Sequence, residues 1–344
     1  MGVPAHCSGL VSASGLEHLK DVVNYKKIIS NTITRANLHG QRERMTLSFP
    51  YPKAYVIDRA GFDRLAVEKY EKEGGKLELG SRITKLGDFR SRSVVGADGP
   101  ISTTARLFGF PPLSSYASSW QGDYAYSSPD LSAVEVFFDH GWAPGFIGWV
   151  IPVNEETAKI GLGVTTKGDL PRAKKKFLQH LHLEKKRPAS HFSALIPLSV
   201  RHKTAGIFDG EGRAIVHAAG QKSKPSPHFS VVLAGDAAGQ VKASSGGGIF
   251  FGASCGRLAG RLAGEPDEYE RAWRHAYGAD LSMHHLLRST LDVLPMWGLD
   301  AWLTAMRCTR LDKWLMQAGE MDQYSKMLSI RTLATYAKTW LPLD

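Results

Sequence analysis

VVLAGDAAGQVKASSGGGIFFGASCGRLAG, residues 231–260, is the stretch that decides the fold. A run of apolar β-formers, Val231 to Leu233, delivers a Gly235-Asp236 turn, and ten residues after Asp236 the triplet Gly246-Gly247-Gly248 opens a segment with helical spacing from Ile249 to Leu262. Strand, turn and glycine-opened helix, in that order, stand where an open α/β sheet binds its ligand. The chemistry is specific. The Asp236 carboxylate can accept hydrogen bonds from sugar-like hydroxyls, while the N–H groups and positive dipole end at Gly246 to Ile249 favour a phosphate or a reduced, anionic ring. Within the helix Gly252, Gly256 and Gly260 recur every four residues, with Gly264 just beyond. Each costs about 1 kcal/mol relative to Ala, so the spacing implies close approach by another backbone or a flat ligand. Arg257 and Arg261 in the middle exclude a membrane-dimer face.

Upstream, Tyr55 to Leu86 predicts a strand, a helix from Gly61 to Glu73, a Gly74-Gly75 stop and a second strand, a βαβ unit. It continues into Ser93 to Gly99, a strand with a Gly/Asp turn, and a helix from Ser102 to Phe108. Between Trp120 and Val164 the runs 133–138, 146–151 and 158–164 predict an antiparallel sheet, followed by a helix from Pro171 to Leu183. After Pro266 the chain is expected to be helical and holds five of its eight tryptophans, Trp273, Trp297, Trp302, Trp314 and Trp340. Core packing explains each singly; together they could line an apolar trench.

The whole chain has 344 residues, 43% hydrophobic and 22% charged, which excludes wholesale disorder and allows one large or two ordinary domains. Cys7, Cys255 and Cys308 are too few and too far apart for a disulfide framework or a zinc site, so no metal is expected and the compartment is reducing. No apolar run is long enough to span a bilayer, and the N-terminus has no signal-peptide pattern. Forty-three Lys and Arg against 33 Asp and Glu give a net charge of +10, with clusters at Lys174-Lys175-Lys176 and Lys185-Lys186-Arg187. No zinc-finger, RNP or helix-turn-helix pattern accompanies them, which argues against nucleic acid and leaves solvated helix faces or an anionic lipid surface.

The GDAAG and GGGI elements, followed by other segments in order, resemble the geranylgeranyl reductase family of FAD-dependent oxidoreductases. Pro4 to Ser12 is similar to that family's Cys-containing flavin loop, Asp58 to Asp63 to its Arg-x-x-Phe-Asp element, Gly96 to Ser102 to its GADGxxS turn, and Pro144 to Pro152 with Ile160 to Val164 to its lipid-headgroup strand pair. The resemblance implies an α/β fold with α+β elements: a Rossmann-like FAD-binding layer (1–110 and 229–264), interrupted by an antiparallel-sheet substrate domain (111–228), and a helical C-terminal region (265–344). It implies reduction of C=C bonds in geranylgeranyl chains of archaeal ether lipids, with FAD as cofactor and ferredoxin or NAD(P)H as electron donor. Carried over residue by residue, Cys7, Ser8 and Gly9 would lie near the isoalloxazine, with Cys7 also the catalytic candidate, although a lone loop thiol is as often inert. Arg59 would lie near the FAD, Ile83 at the adenine end through its backbone, and Asp236 at the ribityl or pyrophosphate link. Gly248 and Ile249 would lie at the flavin, with Asp98, Gly246 and Gly247 also binding cofactor. The implied location is cytoplasmic, with a peripheral place on the inner membrane face open.

Three departures accompany the resemblance. The family's Tyr-x-Trp-x-Phe-Pro motif is here Ile147, Trp149, Ile151 and Pro152, two aromatic positions having become aliphatic in the expected substrate-binding set. Ile83 to Ala97 is short, and Ala214 to His228 long and loop-like. No GxGxxG phosphate loop is found, from which Met1 is expected to be an internal methionine of a longer reading frame, or the gene degenerate. Two further possibilities stay open here: a flavin-free isoprenoid- or lipid-binding remnant, and a FAD-dependent aromatic hydroxylase.

Overall fold

The structure, a computed structural model, describes residues 6–165, 168–215 and 228–328. Its strands are β1 (Leu10–Ser12), β2 (Ile29–Ile33), β3 (Arg35–His39), β4 (Arg44–Ser48), β5 (Ala54–Ile57), β6 (Ser93–Gly96), β7 (Tyr116–Ala125), β8 (Ala133–Phe137), β9 (Gly148–Pro152), β10 (Thr157–Thr165), β11 (Ser190–Pro197), β12 (Ala205–Phe208) and β13 (Phe229–Leu233). Its α-helices are α1 (Ala13–His18), α2 (Arg59–Lys72), α3 (Thr103–Leu107), α4 (Leu170–His180), α5 (Ile249–Leu262), α6 (Pro266–Trp273), α7 (Ala279–Val293), α8 (Met296–Cys308) and α9 (Leu311–Ala318). The chain divides into a larger unit (1–77, 117–195 and 283–344) and a smaller one (78–116 and 196–282). This is a mixed α/β architecture, as the sequence implies.

In the smaller unit β13 is the centre. It pairs antiparallel with β12 and in parallel with β6, and all five of its residues are buried. Val232 packs with Phe251, Cys255, Tyr269 and Trp273 of α5 and α6, while Val231 and Leu233 pack with Val94, Phe108 and Phe208 on the opposite face. A strand covered on both faces reads as a continuous apolar run, which is why SVVL carries no alternation.

In the larger unit a three-stranded antiparallel sheet, ordered β1-β5-β2, accompanies a seven-stranded one, ordered β11-β7-β10-β9-β8-β3-β4. Strands β7, β10, β9 and β8 pair antiparallel in turn, and β8 joins β3 in parallel. On β10, Ala158, Ile160, Leu162 and Val164 share one face and pack with Phe177 of α4, whose ring stacks on Trp142 at 4.6 Å. The glycines between them have a different reason. A Cβ on Gly161 would meet the Trp149 ring at 2.6 Å, and one on Gly163 the Phe146 ring at 2.5 Å, so Gly lets each ring lie flat on the sheet.

The antiparallel strands, the helix after them, the β6–turn–α3 element and the span of α5 agree with the sequence. One expectation fails. Among the described residues no strand stands between α2 and β6: residues 76–85 are irregular, and β5 is antiparallel to both neighbours, so there is no βαβ unit at 55–86. Leu77 and Leu79 are exposed with nothing to pack on, and Gly80 takes φ +73°, which ends any extended run. Trp273 and Trp314 are buried, half-buried Trp302 packs against the cluster of Met45, Leu303 and Met306, and Trp297 is 73% exposed, which suits core packing for all but Trp297. Trp340 and residues 216–227 of the long loop lie outside the described residues.

Phe177→Ala removes a fully buried ring and is expected to cost about 3–5 kcal/mol in urea unfolding, whereas Leu79→Ser at the exposed segment should stay within about 0.5 kcal/mol.

Candidate functional site

The smaller unit assembles the Asp236 element as its sequence requires. Gly235 takes φ +63° at the end of β13, and the backbone turns through a 3₁₀ turn, Gly235–Ala237. Three groups hold that turn. The buried Arg201 donates from Nε to the Ala237 carbonyl at 2.6 Å and from Nη1 to that of Pro111. Gln240 accepts from the Gly235 N–H at 2.8 Å. The Tyr269 hydroxyl receives a bond from Gln240 at 3.2 Å and donates to the Leu233 carbonyl at 2.7 Å. Gln240 stands in plain sight inside the motif; Arg201 and Tyr269 carry no sequence signal, because they are more than thirty residues from the turn on either side.

Against this frame Asp236 is set with no hydrogen-bond partner for its carboxylate among the described residues, and burial pushes its pKa up. The glycine loop comes to it. Gly246 takes φ +77°, the Lys242 stem lies where a Cβ on Gly247 would stand, and a Cβ on Gly248 would come within 3.2 Å of Asp236 Oδ1. Gly248 caps α5 without a side-chain bond, so the first N–H groups of the helix have no acceptor within it. Gly252 approaches Gly235 backbone to backbone, a Cβ there lying 3.5 Å from its Cα, while Gly256 and Gly260 face open space. Close backbone approach thus accounts for one glycine of that face.

Asp98 and Ile83 belong to the same unit but to other loops. Asp98 receives the Ser102 hydroxyl at 2.6 Å, the Thr104 N–H at 2.9 Å and the Thr104 hydroxyl at 3.1 Å, so it organises the start of α3. Half-buried Ile83 precedes a turn in which Asp88 collects the N–H groups of Thr84 and Lys85.

In the larger unit the Cys7–Gly9 loop lies beside the end of β5. The Ile57 N–H donates to the Gly9 carbonyl at 2.9 Å, and a Cβ on Gly9, at φ +75°, would sit 2.4 Å from the Ile57 carbonyl oxygen. Cys7 Sγ accepts from the Gly9 N–H at 3.4 Å, and Ser8 Oγ from that of Leu10 at 3.3 Å. Two residues after Ile57, Arg59 spends one nitrogen on Asp63 at 3.0 Å and rests over the Phe62 ring. Its Nε and Nη1 are buried with no partner. Elsewhere in this unit Trp149 donates to Gln121 at 2.9 Å, Ile151 packs with Ile33, Ala54 and Val134, and Ile147 and Pro152 are buried.

In the smaller unit the partnerless Asp236 carboxylate and the uncapped, glycine-opened α5 are groups that suit sugar hydroxyls and phosphate; in the larger unit, taken by itself, Arg59 offers two orphaned guanidinium donors that suit an anion. Each set, within its own unit, has the chemistry that a part of FAD requires.

No family model matches the sequence. Curated relatives do. A digeranylgeranylglycerophospholipid reductase of Methanothermobacter thermautotrophicus is 26% identical, over 98% of this chain and 88% of its own length. One of Methanopyrus kandleri is 25% identical over 81% of this chain and 74% of its own, and an uncharacterized protein of Methanocaldococcus jannaschii is 24% identical over 97% and 86%. Among solved structures, a geranylgeranyl bacteriochlorophyll reductase-like protein of Thermoplasma acidophilum superposes with TM-score 0.70 at 17% identity, covering 98% of this chain and 87% of that one. The flavin-dependent halogenase CmlS gives 0.60 at 13% identity over 98% and 70%, and HpxO of Klebsiella pneumoniae, complexed with FAD, gives 0.54 at 15% over 88% and 84%. The fold is that of FAD-dependent oxidoreductases, and the homologous reductases support a place for this chain in the geranylgeranyl reductase family.

Because burial raises the Asp236 pKa, the folded chain holds that proton more tightly than the unfolded one, and stability falls as pH rises from the ordinary carboxylate range through the raised value. Asp236→Asn is therefore expected to raise the melting temperature of the flavin-free protein at about pH 7 and to lose that advantage by about pH 4. A gain that is the same at both would assign it to packing.

Proposed function

We propose that this protein is a FAD-dependent reductase of C=C bonds in the geranylgeranyl chains of isoprenoid ether lipids. The observation that carries the reading is the partnerless Asp236 carboxylate set against Gly248 at the opening of α5, in a chain homologous to lipid reductases. In this reading 1–110 and 229–264 serve the cofactor, 111–228 the substrate, and 265–344 form the helical region.

Each side chain then has a task its chemistry suits. Arg59 offers its two unspent N–H donors to the anionic part of the cofactor, and the α5 N-terminus at Gly246 to Ile249 favours negative charge nearby. Asp236 accepts from hydroxyls of the ribityl link, which would offset the desolvation it bears. Ile83 borders the adenine through its backbone, and Asp98 acts on the cofactor by fixing its own loop. Cys7, Ser8 and Gly9 face the ring system, where the open Gly9 conformation lets the backbone come close. These residues would hold FAD, which when bound and reduced by ferredoxin or NAD(P)H would supply hydride chemistry. Trp149, with Ile147, Ile151 and Pro152, supplies apolar surface for the lipid, and the aliphatic residues at two positions suit branched isoprenoid chains. The substrate is a membrane lipid, so the protein works in the cytoplasm at the inner face of the membrane.

The test is an anaerobic assay on the purified chain. Flavin absorbance near about 450 nm, and products heavier by two hydrogens for each reduced bond when a digeranylgeranyl glycerophospholipid and dithionite are supplied, are the expected results. A chain that turns over only with oxygen would be a hydroxylase, and one that binds the lipid without flavin would be a binding protein. Arg59→Ala is expected to weaken FAD binding by about tenfold or more, since it removes a charge-assisted contact.

A further inference from the structure

Three side chains in the larger unit are placed against the ordinary logic of burial. Leu286 and Val293, one heptad apart on the same face of α7, are 67% and 79% exposed, and Trp297 in the first turn of α8 is 73% exposed. Scattered exposed apolar residues are common, but a row of three with a tryptophan at its end marks an interaction surface. Pro295, also exposed, separates the helices and keeps the junction projecting.

What lies beside the row identifies its occupant. The junction rests on loop 138–142: the His140 N–H approaches Met296 Sδ at 3.2 Å, His140 Nε2 lies 3.3 Å from the Leu291 carbonyl, and Phe138 meets Trp302 edge-on. The next residue, Gly141, accepts from Lys176 Nζ of α4 at 2.9 Å. One loop therefore carries the apolar row on one flank and α4 on the other. The outer face of α4 is cationic, with Arg172, Lys175 and Lys176 exposed, and the turn after it adds exposed Lys185, Lys186 and Arg187. From residue 170 to 187 the chain holds seven Lys and Arg against the single acid Glu184. Lys174 is drawn from that face onto the Trp120 ring at 4.1 Å, which fixes the helix by a cation–π contact and leaves Arg172 and Lys175 as exposed cations of its outer face. Exposed Leu, Val and Trp next to lysines and arginines is the composition of a surface that lies in a bilayer interface: the aromatic and aliphatic groups enter the headgroup boundary and the cations meet anionic phosphates.

We propose that the Leu286–Val293–Trp297 row and the basic face of α4 form the surface by which the protein sits on an anionic lipid bilayer. The inference rests on the reading of the substrate as a membrane lipid, but its measurement does not.

The experiment is flotation of the 344-residue chain with vesicles of phosphatidylcholine alone or mixed with phosphatidylglycerol. The chain is expected to float with the mixed vesicles, and less so as salt is added. Val293→Ser with Trp297→Ser should lower its partition coefficient by about tenfold or more on either vesicle. Arg172→Glu with Lys175→Glu should abolish the preference for phosphatidylglycerol and the salt dependence together. Reduction of a short, detergent-dispersed geranylgeranyl compound should be unchanged in both pairs. No flotation of the unaltered chain, or flotation indifferent to both pairs of substitutions, overturns the proposal. So does a shift from dimer to monomer in the Val293/Trp297 pair without change in flotation, which would assign the row to a second copy. A chain that floats as expected but reduces no double bond leaves the surface standing and defeats the reductase reading instead.

Discussion

A carboxylate in a desolvated place without a partner is the constraint around which the smaller unit is arranged. Nothing about Asp236 favours its position energetically in the chain alone, so the position has to be imposed by groups that are satisfied. They are: Arg201, Gln240 and Tyr269 take up the carbonyls and N–H groups of residues 233 to 237, and these in turn rest on β13, whose five residues are all buried. Further out, Glu270 accepts from the Thr204 N–H at 2.9 Å and Trp273 donates to the Thr204 hydroxyl at 2.8 Å, joining the strand that follows Arg201 to α6. Where the frame meets the turn it is a cation, an amide and a phenol, each spent on backbone groups and none on the Asp236 carboxylate. That arrangement keeps the interior dry while leaving one negative group uncompensated, which is the usual condition of a residue kept for a ligand.

Much of this was legible in the sequence, and the boundary of legibility has a physical form. Local geometry that demands glycine is written in the chain: Gly235 and Gly246 at positive φ, Gly248 at the head of α5 and Gly252 against Gly235 all stand where spacing alone placed them. Orphaned donors are not. That Arg59 leaves two nitrogens unspent depends on the neighbours it lacks, and no pattern in Asp58 to Asp63 announces it. The clamp residues fall on the same side of the line, because Arg201 and Tyr269 meet Ala237 and Leu233 only after the strand and helices have docked. The failure at 76–85 is instructive in the other direction. Alternating Leu77 and Leu79 satisfied the pattern of a strand, but a strand also needs a surface to cover, and these side chains have solvent.

The seven-stranded sheet uses glycine for a different purpose. Gly148, Gly161 and Gly163 each lie under an aromatic ring, from Trp142, Trp149 and Phe146 respectively, so that rings cover backbone rather than interdigitate with branched side chains. The pairing explains why Trp149 keeps its place while its neighbours at 147 and 151 are aliphatic: its ring is matched to Gly161 across the register and its N–H to Gln121, whereas Ile147 and Ile151 answer only to volume. No helix among the described residues is long and apolar enough to cross a membrane.

Cys255 sits at the middle of α5 with no exposed surface, and burial pushes its thiol up to about 12. At neutral pH it carries almost no thiolate, which is the form that reacts. Toward an alkylating reagent the folded chain therefore behaves as a protein of two thiols, the half-buried Cys7 and the exposed Cys308, although it contains three. The third becomes countable only when the packing around Trp273 and Phe251 opens, so that titrating sulfur amounts to timing the breathing of that core.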